Sequence, residues 1–200
     1  MSNELVPPDT TPLDSDESDG LLLSWIATRA DLNAAETAGI AEGTSWAVSR
    51  HLASEAICDS AFLRELHRRM FGGVWKWAGR YRRSDKNIGI DWQMIAIAVE
   101  ELLADCQAWL NDTTSNRWGD DEIAVRLHHR LVSIHLFPNG NGRHARLVAD
   151  LLMQSLGSAA LTWGGRVELA DAGEARSRYI AALQSADAGD LAPLIEFARS

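Results

Sequence analysis

Apolar residues recur every three or four positions along most of this chain, which is the spacing of one face of an α-helix. The clearest run lies between residues 92 and 110, where the apolar face comprises Ile95, Val99, Leu102, Leu103, Cys106 and Trp109. The same spacing predicts further helices at about 31–52, 59–71, 120–135, 142–157, 168–186 and 190–198. Residues 74–82 instead have a β-like composition. The pattern therefore predicts a mainly helical, all-α bundle.

The length of 200 residues suits a single domain with a sizeable core. Residues 1–19 hold six acidic residues, three prolines and no basic residue, a composition typical of disordered segments. We therefore predict an acidic N-terminal tail over 1–19 that is flexible on its own, and docking of this tail on the domain is left open. Residues 20–200 are predicted to form one domain.

The formal net charge of −9 argues against a general nucleic-acid-binding protein. No apolar run is long enough to span a membrane, and no secretory leader opens the chain. The two cysteines, Cys58 and Cys106, match no metal-binding spacing and are predicted to be reduced thiols. We therefore expect a cytoplasmic protein whose direct partners are neither nucleic acids nor membranes.

Four basic residues stand close together on this acidic chain, namely Arg80, Arg82, Arg83 and Lys86. Such side chains can face nucleotide phosphates or an acidic partner, or they can simply be solvated. The solvated state is the simplest interpretation of each one, and the sequence leaves the alternatives open.

The most informative stretch is residues 134–146, a short polar turn between two apolar, helix-like segments. Pro138 has no amide hydrogen and disfavours helical geometry in the residue before it, so the first helix should end there. Gly140 and Gly142 permit backbone angles and close approaches that other residues do not. If the next helix begins at about Asn141, its free amides can bind an anion.

Basic residues follow this turn where a purely structural helix would prefer acids. Arg143, His144 and Arg146 lie in the first turn of the second predicted helix, where each cation opposes the helix dipole by roughly 0.3–1 kcal/mol. A bound anion removes this conflict, because arginine binds phosphate in a bidentate manner. His135 lies at the end of the preceding helix, and histidine is the commonest general base near neutral pH. The stretch is therefore interpreted as a phosphate site with a base beside it.

This stretch resembles the signature of Fic-domain proteins, which reads His, any residue, Phe, any residue, Asp or Glu, Gly-Asn-Gly-Arg, two of any residue, Arg. The matching positions are His135, Phe137, Gly140, Asn141, Gly142, Arg143 and Arg146. The wider sequence, from about Thr11 to the C-terminus, is most similar to the small Fic subgroup called mobile mystery protein B. The resemblance implies a helical Fic fold with the signature at 135–146 and one small β-hairpin flap at about 83–91 over the active site.

The resemblance also implies an adenylyltransferase, which moves AMP from ATP to a Ser, Thr or Tyr hydroxyl group of a target protein. His135 would be catalytic and would take the proton of that hydroxyl group. The residues that would bind the nucleotide phosphates are Gly140, Asn141, Gly142, Arg143 and Arg146. Members of the subgroup tend to be encoded beside a small DNA-binding protein, so a toxin-like protein with an antitoxin-like partner is expected.

In the family, a target peptide pairs with the flap as an extra strand and so presents its hydroxyl group to the histidine. The flap residues that would contact the target in this chain are Arg83, Ile88 and Ile90. The resemblance therefore implies a docking mode that depends on backbone pairing and selects weakly for target sequence.

Glu42, which is followed by Gly43, resembles the inhibitory glutamate of many Fic proteins. In that motif the glutamate pairs with the second signature arginine, here Arg146, and blocks productive placement of the terminal phosphate. The match is incomplete, because Ala38 rather than Ser or Thr stands four residues before Glu42. A solvated helix glutamate is the alternative interpretation.

Asn139 occupies the position where the family has an acidic residue that binds Mg²⁺. An amide oxygen can bind Mg²⁺ or Mn²⁺, but it lacks the charge of a carboxylate. We therefore predict reduced metal-dependent transfer. Two other functions stay open: phosphate transfer of the type performed by Doc toxins, and a nucleotide-binding regulatory module with little catalysis because of Asn139.

Overall fold

The computed structural model describes residues 20–26, 29–115, 117–165 and 173–200. The predicted tail over 1–19 and the beginning of the helix predicted at 168–186 lie outside these residues. The described helices are α1 (Arg29–Val48), α2 (Ser54–Ile57), α3 (Ser60–Phe71), α4 (Ile95–Asn111), α5 (Asp120–Ile134), α6 (Asn141–Ser155), α7 (Glu174–Asp187) and α8 (Ala192–Arg199). A 3₁₀ turn, Trp92–Met94, leads into α4. The prediction of a mainly helical fold is confirmed.

Helices α5 and α6 form the centre of the domain and pack against each other, with α4 and α8 also on α5. Their apolar faces, which include Leu127, Leu131, Val148 and Leu152, are fully or almost fully buried. The polar turn that joins α5 to α6 is therefore held at the end of a well-packed helix pair. None of the described helices combines the length and the apolar character needed to cross a membrane.

The predicted β-hairpin flap is not formed: no strand occurs in the described ranges, and residues 83–91 follow a series of bends. One isolated bridge, between Leu21 and Trp75, is the extent of β pairing in the described part of the chain. The carbonyl groups of Ser84 and Ile90 accept hydrogen bonds from the Arg82 side chain. The segment is thus bonded to the Arg82 side chain, without the ladder of backbone hydrogen bonds that a hairpin would have.

Helix α1 packs closely on α3 because two glycines leave room for the neighbouring backbone. A methyl group at Gly39 would overlap the carbonyl oxygen of Met70, and one at Gly43 would lie 2.8 Å from the Met70 Cγ atom. Considered as helix residues alone, these glycines weaken α1 by roughly 1 kcal/mol each relative to alanine. Their role is therefore to allow a close helix–helix contact.

We predict that Gly39→Ala lowers the free energy of unfolding by about 1–3 kcal/mol, because the new methyl group overpacks the contact with Met70. Helix propensity alone would change stability in the opposite direction, by about 1 kcal/mol. Urea unfolding of the variant measures the difference. Gly73→Ala is the matched control, since a methyl group there meets nothing within 4 Å. A Gly39→Ala protein as stable as the parent would contradict the close contact.

Candidate active site

His135 is the residue at which helix α5 ends. Its backbone is left-handed, with φ 57° and ψ 65°, and its amide donates a hydrogen bond to the Leu131 carbonyl at 3.2 Å. A residue other than glycine pays about 1–3 kcal/mol for such a conformation, which persists only where surrounding contacts hold it. The imidazole is buried, and neither ring nitrogen has a hydrogen-bond partner in the described structure.

The ring of His135 is neutral at physiological pH. Burial, followed by the charges of Arg82 and Lys86, lowers the pKa of His135 from 6.5 to about 4. A neutral ring has a free lone pair that can accept a proton. A bound polyphosphate would add negative charge beside the ring and raise this pKa towards the range of an effective general base.

The side chain of Asn141 closes the turn that follows His135. Its Oδ1 accepts a hydrogen bond from the Phe137 amide at 2.9 Å, and its Nδ2 donates to the Phe137 carbonyl at 2.7 Å. Helix α6 begins at Asn141, as the sequence predicts. The amides of its first turn have no partner inside the helix and carry the positive end of its dipole. The turn therefore presents an anion-binding helix end beside His135.

Asn139, predicted as a weak metal ligand, is engaged within the turn itself. Its side-chain oxygen accepts a hydrogen bond from the Gly140 amide at 2.6 Å. The Gly140 amide is consequently unavailable to an anion in this conformation. The backbone amides that remain as candidate anion ligands are those at the start of α6. Gly140 has φ 78°, and a methyl group there would lie 2.6 Å from Cζ of Phe71, so the position requires glycine.

The residues around Asn139 do not fit a tightly held divalent ion. Across the described ranges, no three or more His, Cys, Asp or Glu side chains are grouped so that they could hold a metal. The carboxylate of Glu36 comes close to the signature, but it is already engaged by Arg143 and Trp75. A magnesium ion prefers carboxylates and water, so binding at Asn139 would depend on the amide oxygen and on the nucleotide.

His67 supports the turn between α5 and α6 through a hydrogen bond to its backbone. The position of His67 in the sequence does not reveal this role. Its Nδ1 accepts a hydrogen bond from the Gly79 amide at 3.0 Å, so Nε2 carries the hydrogen and donates to the Asn139 carbonyl at 3.1 Å. The ring stacks on Phe137, with 3.7 Å between the ring centroids. Burial, together with the nearby His144, holds the pKa of His67 well below its ordinary value.

Arg143, the first signature arginine, is paired with an unexpected glutamate. Its Nη2 lies 2.9 Å from Oε2 of Glu36, and its guanidinium lies over the ring of Phe71 at 5.0 Å. Glu36 is only 4% exposed, and its Oε1 accepts a hydrogen bond from Trp75 Nε1 at 2.7 Å. A buried carboxylate is therefore already paired with the guanidinium of Arg143.

The predicted pair between Glu42 and Arg146 is not formed. Glu42 is exposed and makes no ion pair with a described residue. It follows Glu36 by six positions, which places it roughly 120° further around the helix. Glu36, Gly39 and Gly43 are spaced three and four apart, so they share the face that packs towards α3. Helix phase therefore excludes Glu42 from the position that Glu36 occupies.

Arg146, the second signature arginine, rests on an aromatic residue of α7. Its guanidinium lies 5.6 Å from the centroid of the Tyr179 ring, and the Tyr179 hydroxyl is 2.9 Å from Nε2 of His128. Burial, followed by the charge of Arg146, lowers the pKa of His128 to about 3. The two signature arginines are therefore supported from opposite sides, by α1 and α3 for Arg143 and by α7 for Arg146.

The flap segment covers His135, although it lacks the predicted strands. Gly89 has φ 97°, and a methyl group there would lie 2.6 Å from Cβ of His135. Of the residues predicted to contact a target, Arg83 is exposed, Ile88 is 49% exposed, and Ile90 is partly buried against the core. The structure thus places the predicted docking segment directly beside the predicted catalytic residue.

Sequence comparison with known proteins identifies relatives that share this signature region. The sequence pattern of the "Fic/DOC family" matches residues 57–153. Two relatives, each named protein adenylyltransferase fic-1, come from Caenorhabditis briggsae and Caenorhabditis elegans. Each is 34% identical over 134 residues, or 66% of this chain. The chain spans only 25% of the length of these curated relatives.

Solved structures show the same fold. Fic-1 from C. elegans superposes with a TM-score of 0.60 at 27% identity, covering 82% of this chain and 46% of the other. BepC from Bartonella tribocorum, solved with bound AMPPNP, superposes with a TM-score of 0.67. It is 16% identical, and the alignment covers 93% of this chain and 97% of BepC. At that identity the similarity to BepC concerns the fold alone.

Proposed function

We propose that this chain, which belongs to the Fic/DOC family, transfers AMP from ATP to a hydroxyl group of a target protein. The observation that carries the proposal is the neutral, unpartnered ring of His135 beside the free amides and two arginines of α6. The names of the C. briggsae and C. elegans relatives, both protein adenylyltransferases, support the same reaction. The proposal includes cytoplasmic action, as expected from the sequence composition, and a small DNA-binding, antitoxin-like partner, as the subgroup resemblance implies.

The proposed reaction follows from the placement of these groups. The triphosphate lies against the first turn of α6, where Arg143 and Arg146 neutralise its charge. The target presents its hydroxyl group at the flap, and His135 accepts the proton. The hydroxyl oxygen forms a bond to the α-phosphorus, the bond between the α-phosphorus and the bridging oxygen breaks, and pyrophosphate leaves. Catalysis consists of positioning and charge stabilisation.

Glu36 restrains this reaction in the conformation described. Its carboxylate faces the arginine that a phosphate must engage, so nucleotide binding requires the phosphate to displace it or to bind beside it. Two like charges about 5 Å apart repel by roughly 3 kcal/mol at an effective dielectric of about 20. We therefore assign to Glu36 the inhibitory role that the sequence suggested for Glu42.

The central test is transfer of label from ATP to the protein itself and to proteins of a cell lysate. With ATP labelled at the α-phosphate, the wild-type chain should label protein, and His135→Ala should abolish the labelling because no other described side chain replaces the base. Mass spectrometry should identify an added AMP. His129→Ala is the matched control, since the His129 ring pairs with Asp187 outside the site.

Two other outcomes, read with ATP labelled at either the α- or the γ-phosphate, would favour the other candidate functions. Label transferred from the γ-phosphate instead of the α-phosphate would establish phosphate transfer of the Doc type. Nucleotide binding without any transfer in either the wild type or Glu36→Gln, unchanged in His135→Ala, would establish a regulatory binding module. Either result would overturn the adenylyltransferase.

We predict that Glu36→Gln lowers the Kd for ATP about tenfold, or about 1.4 kcal/mol, and raises the rate of transfer. Glutamine can still accept the hydrogen bond of Trp75, but it removes the negative charge beside Arg143. Calorimetric titration measures the affinity, and label transfer measures the rate. Glu42→Gln is the comparison, and activation by that change alone would restore the assignment made from the sequence.

Replacement of Asn139 by aspartate should strengthen metal dependence. A carboxylate about 4 Å from a divalent ion adds roughly 4 kcal/mol of attraction per unit of ion charge before solvent compensation. We therefore expect Asn139→Asp to raise transfer and to lower the half-saturating Mg²⁺ concentration at least tenfold, a change of about 1.4 kcal/mol. Transfer is measured across a magnesium titration. Asn111→Asp adds the same charge at an exposed position on α4, and equal effects of the two variants would contradict a metal-binding role for position 139.

A further inference from the structure

Arg82 lies in the interior of the domain. It belongs to the cluster of basic residues that were predicted from the sequence to be solvated or to face phosphates or an acidic partner. Only 2% of the residue is exposed. Its neighbours Arg80 and Arg83 are exposed. The partners of this buried guanidinium require an explanation, because burying a charge is costly unless hydrogen bonds or opposite charges compensate.

The guanidinium of Arg82 bonds to four backbone carbonyl groups that belong to two separate segments. Its Nε donates to the carbonyl of His135 at 2.7 Å, and its Nη2 donates to that of Ile134 at 3.3 Å. Its Nη1 donates to the carbonyl of Ser84 at 2.9 Å, and its Nη2 also donates to that of Ile90. One cation therefore joins the carboxyl end of α5 to both ends of the flap.

The backbone of Arg82 strengthens the same connection, since its amide donates to the Leu136 carbonyl at 2.9 Å. The acid paired with its guanidinium, Asp85, lies 3.7 Å away with a side chain that is 67% exposed. The charge is thus stabilised chiefly by carbonyl dipoles, including those at the negative end of α5. Arginine suits this position because its planar group offers five N–H donors in a fixed geometry, whereas lysine offers three at one point.

These contacts account for the two unusual features of His135. The left-handed backbone of His135 is fixed by bonds from Arg82 to its own carbonyl and to the preceding one. The flap contributes to the burial of His135, since its Gly89 lies against Cβ of His135 and its ends are held by Arg82.

We propose that Arg82 is a positioning residue for the transfer reaction, which fixes the backbone of His135 and seats the flap on it through four carbonyl groups. Its effect on the transfer rate rests on the function proposed above, whereas its effect on the conformation of His135 does not. The side-chain hydrogen bonds and the ion pair of Arg82 all lie at the end of α5 and in the flap, and none of them involves a residue from Gly140 to Arg146. Nucleotide affinity should therefore be independent of Arg82.

The test is Arg82→Lys in the full chain, which keeps the charge and removes the fork of donors. Nuclear magnetic resonance follows the His135 ring, assigned by its absence in His135→Asn. In the wild type the His135 pKa is expected at about 4, and in the variant it should rise towards 6.5 because burial, its largest cause, is relieved. The two positive charges that act on this ring are kept in the variant, since Lys86 is unchanged and lysine replaces arginine at position 82. A change in the His135 pKa would therefore not come from a lost charge. Exchange of the amides at positions 82 and 135 should become faster.

Kinetic measurements on the same variant distinguish a loss of His135 positioning from a general loss of structure. The maximal transfer rate should fall by up to about 100-fold, the cost of a misplaced catalytic group, while the Kd for ATP stays at the wild-type value. Arg80→Lys, at an exposed arginine of the same segment, should change none of these quantities. A wild-type His135 titration with wild-type amide exchange in Arg82→Lys would overturn the proposal. Absence of transfer in both the wild type and Glu36→Gln would overturn the proposed function and leave the resonance test of Arg82 intact.

Gly89→Ala keeps the proposal testable if Arg82→Lys does not fold. A methyl group at Gly89 would lie 2.9 Å from Nη2 of Arg82 and 2.6 Å from Cβ of His135, so it must displace the flap or the guanidinium. The same rise in the His135 pKa, with unchanged ATP affinity, is expected. A Gly89→Ala protein in which the ring titrates as in the wild type would show that the seated flap does not control His135.

Discussion

The site depends on the two hydrogen bonds with which the Asn141 side chain closes the turn between α5 and α6. Without them, the amide and carbonyl groups of the buried Phe137 would lack partners, at a cost of about 1–3 kcal/mol each. The closure also sets the direction in which the chain returns from the end of α5 into α6. The proton acceptor and the anion-binding amides consequently occupy the same end of the helix pair, which is the arrangement that transfer to a hydroxyl group needs.

Among the signature residues, the positive charge comes from Arg143 and Arg146, because the histidines nearby are neutral. Burial holds the pKa of His67, His135 and His144 below the ordinary value, so these rings stay neutral and serve as hydrogen-bonding or stacking groups. Arg143 and Arg146 carry permanent charge, and each rests on a different part of the fold. Two kinds of side chain therefore divide the roles here: neutral histidine rings shape the turn, and the guanidinium groups carry the charge that the proposed anion site needs.

The helices and the signature turn could be predicted because they follow from local spacing and from a short motif. The contacts between residues that are far apart in sequence and are brought together by tertiary packing could not be predicted in this way. Glu42 matched a local pattern, but the contact between α1 and α3 sets the helix phase and selects Glu36. His67 meets Asn139 across 72 positions of sequence, with no signal in either segment. Arg82 resembled a surface cation. In the structure it is buried, and the flap residues bond to its side chain where a hairpin was predicted.

The glycine contact between α1 and α3 has a consequence for how this protein can change over evolutionary time. Gly39 and Gly43 set the depth at which α1 lies, and the same face of α1 carries Glu36 to the signature arginine. Met70 is fully buried against both glycines, so a substitution there would change that depth. The strength of the restraint on the site can therefore be adjusted from within the hydrophobic core, while every residue that meets the substrates is left unchanged.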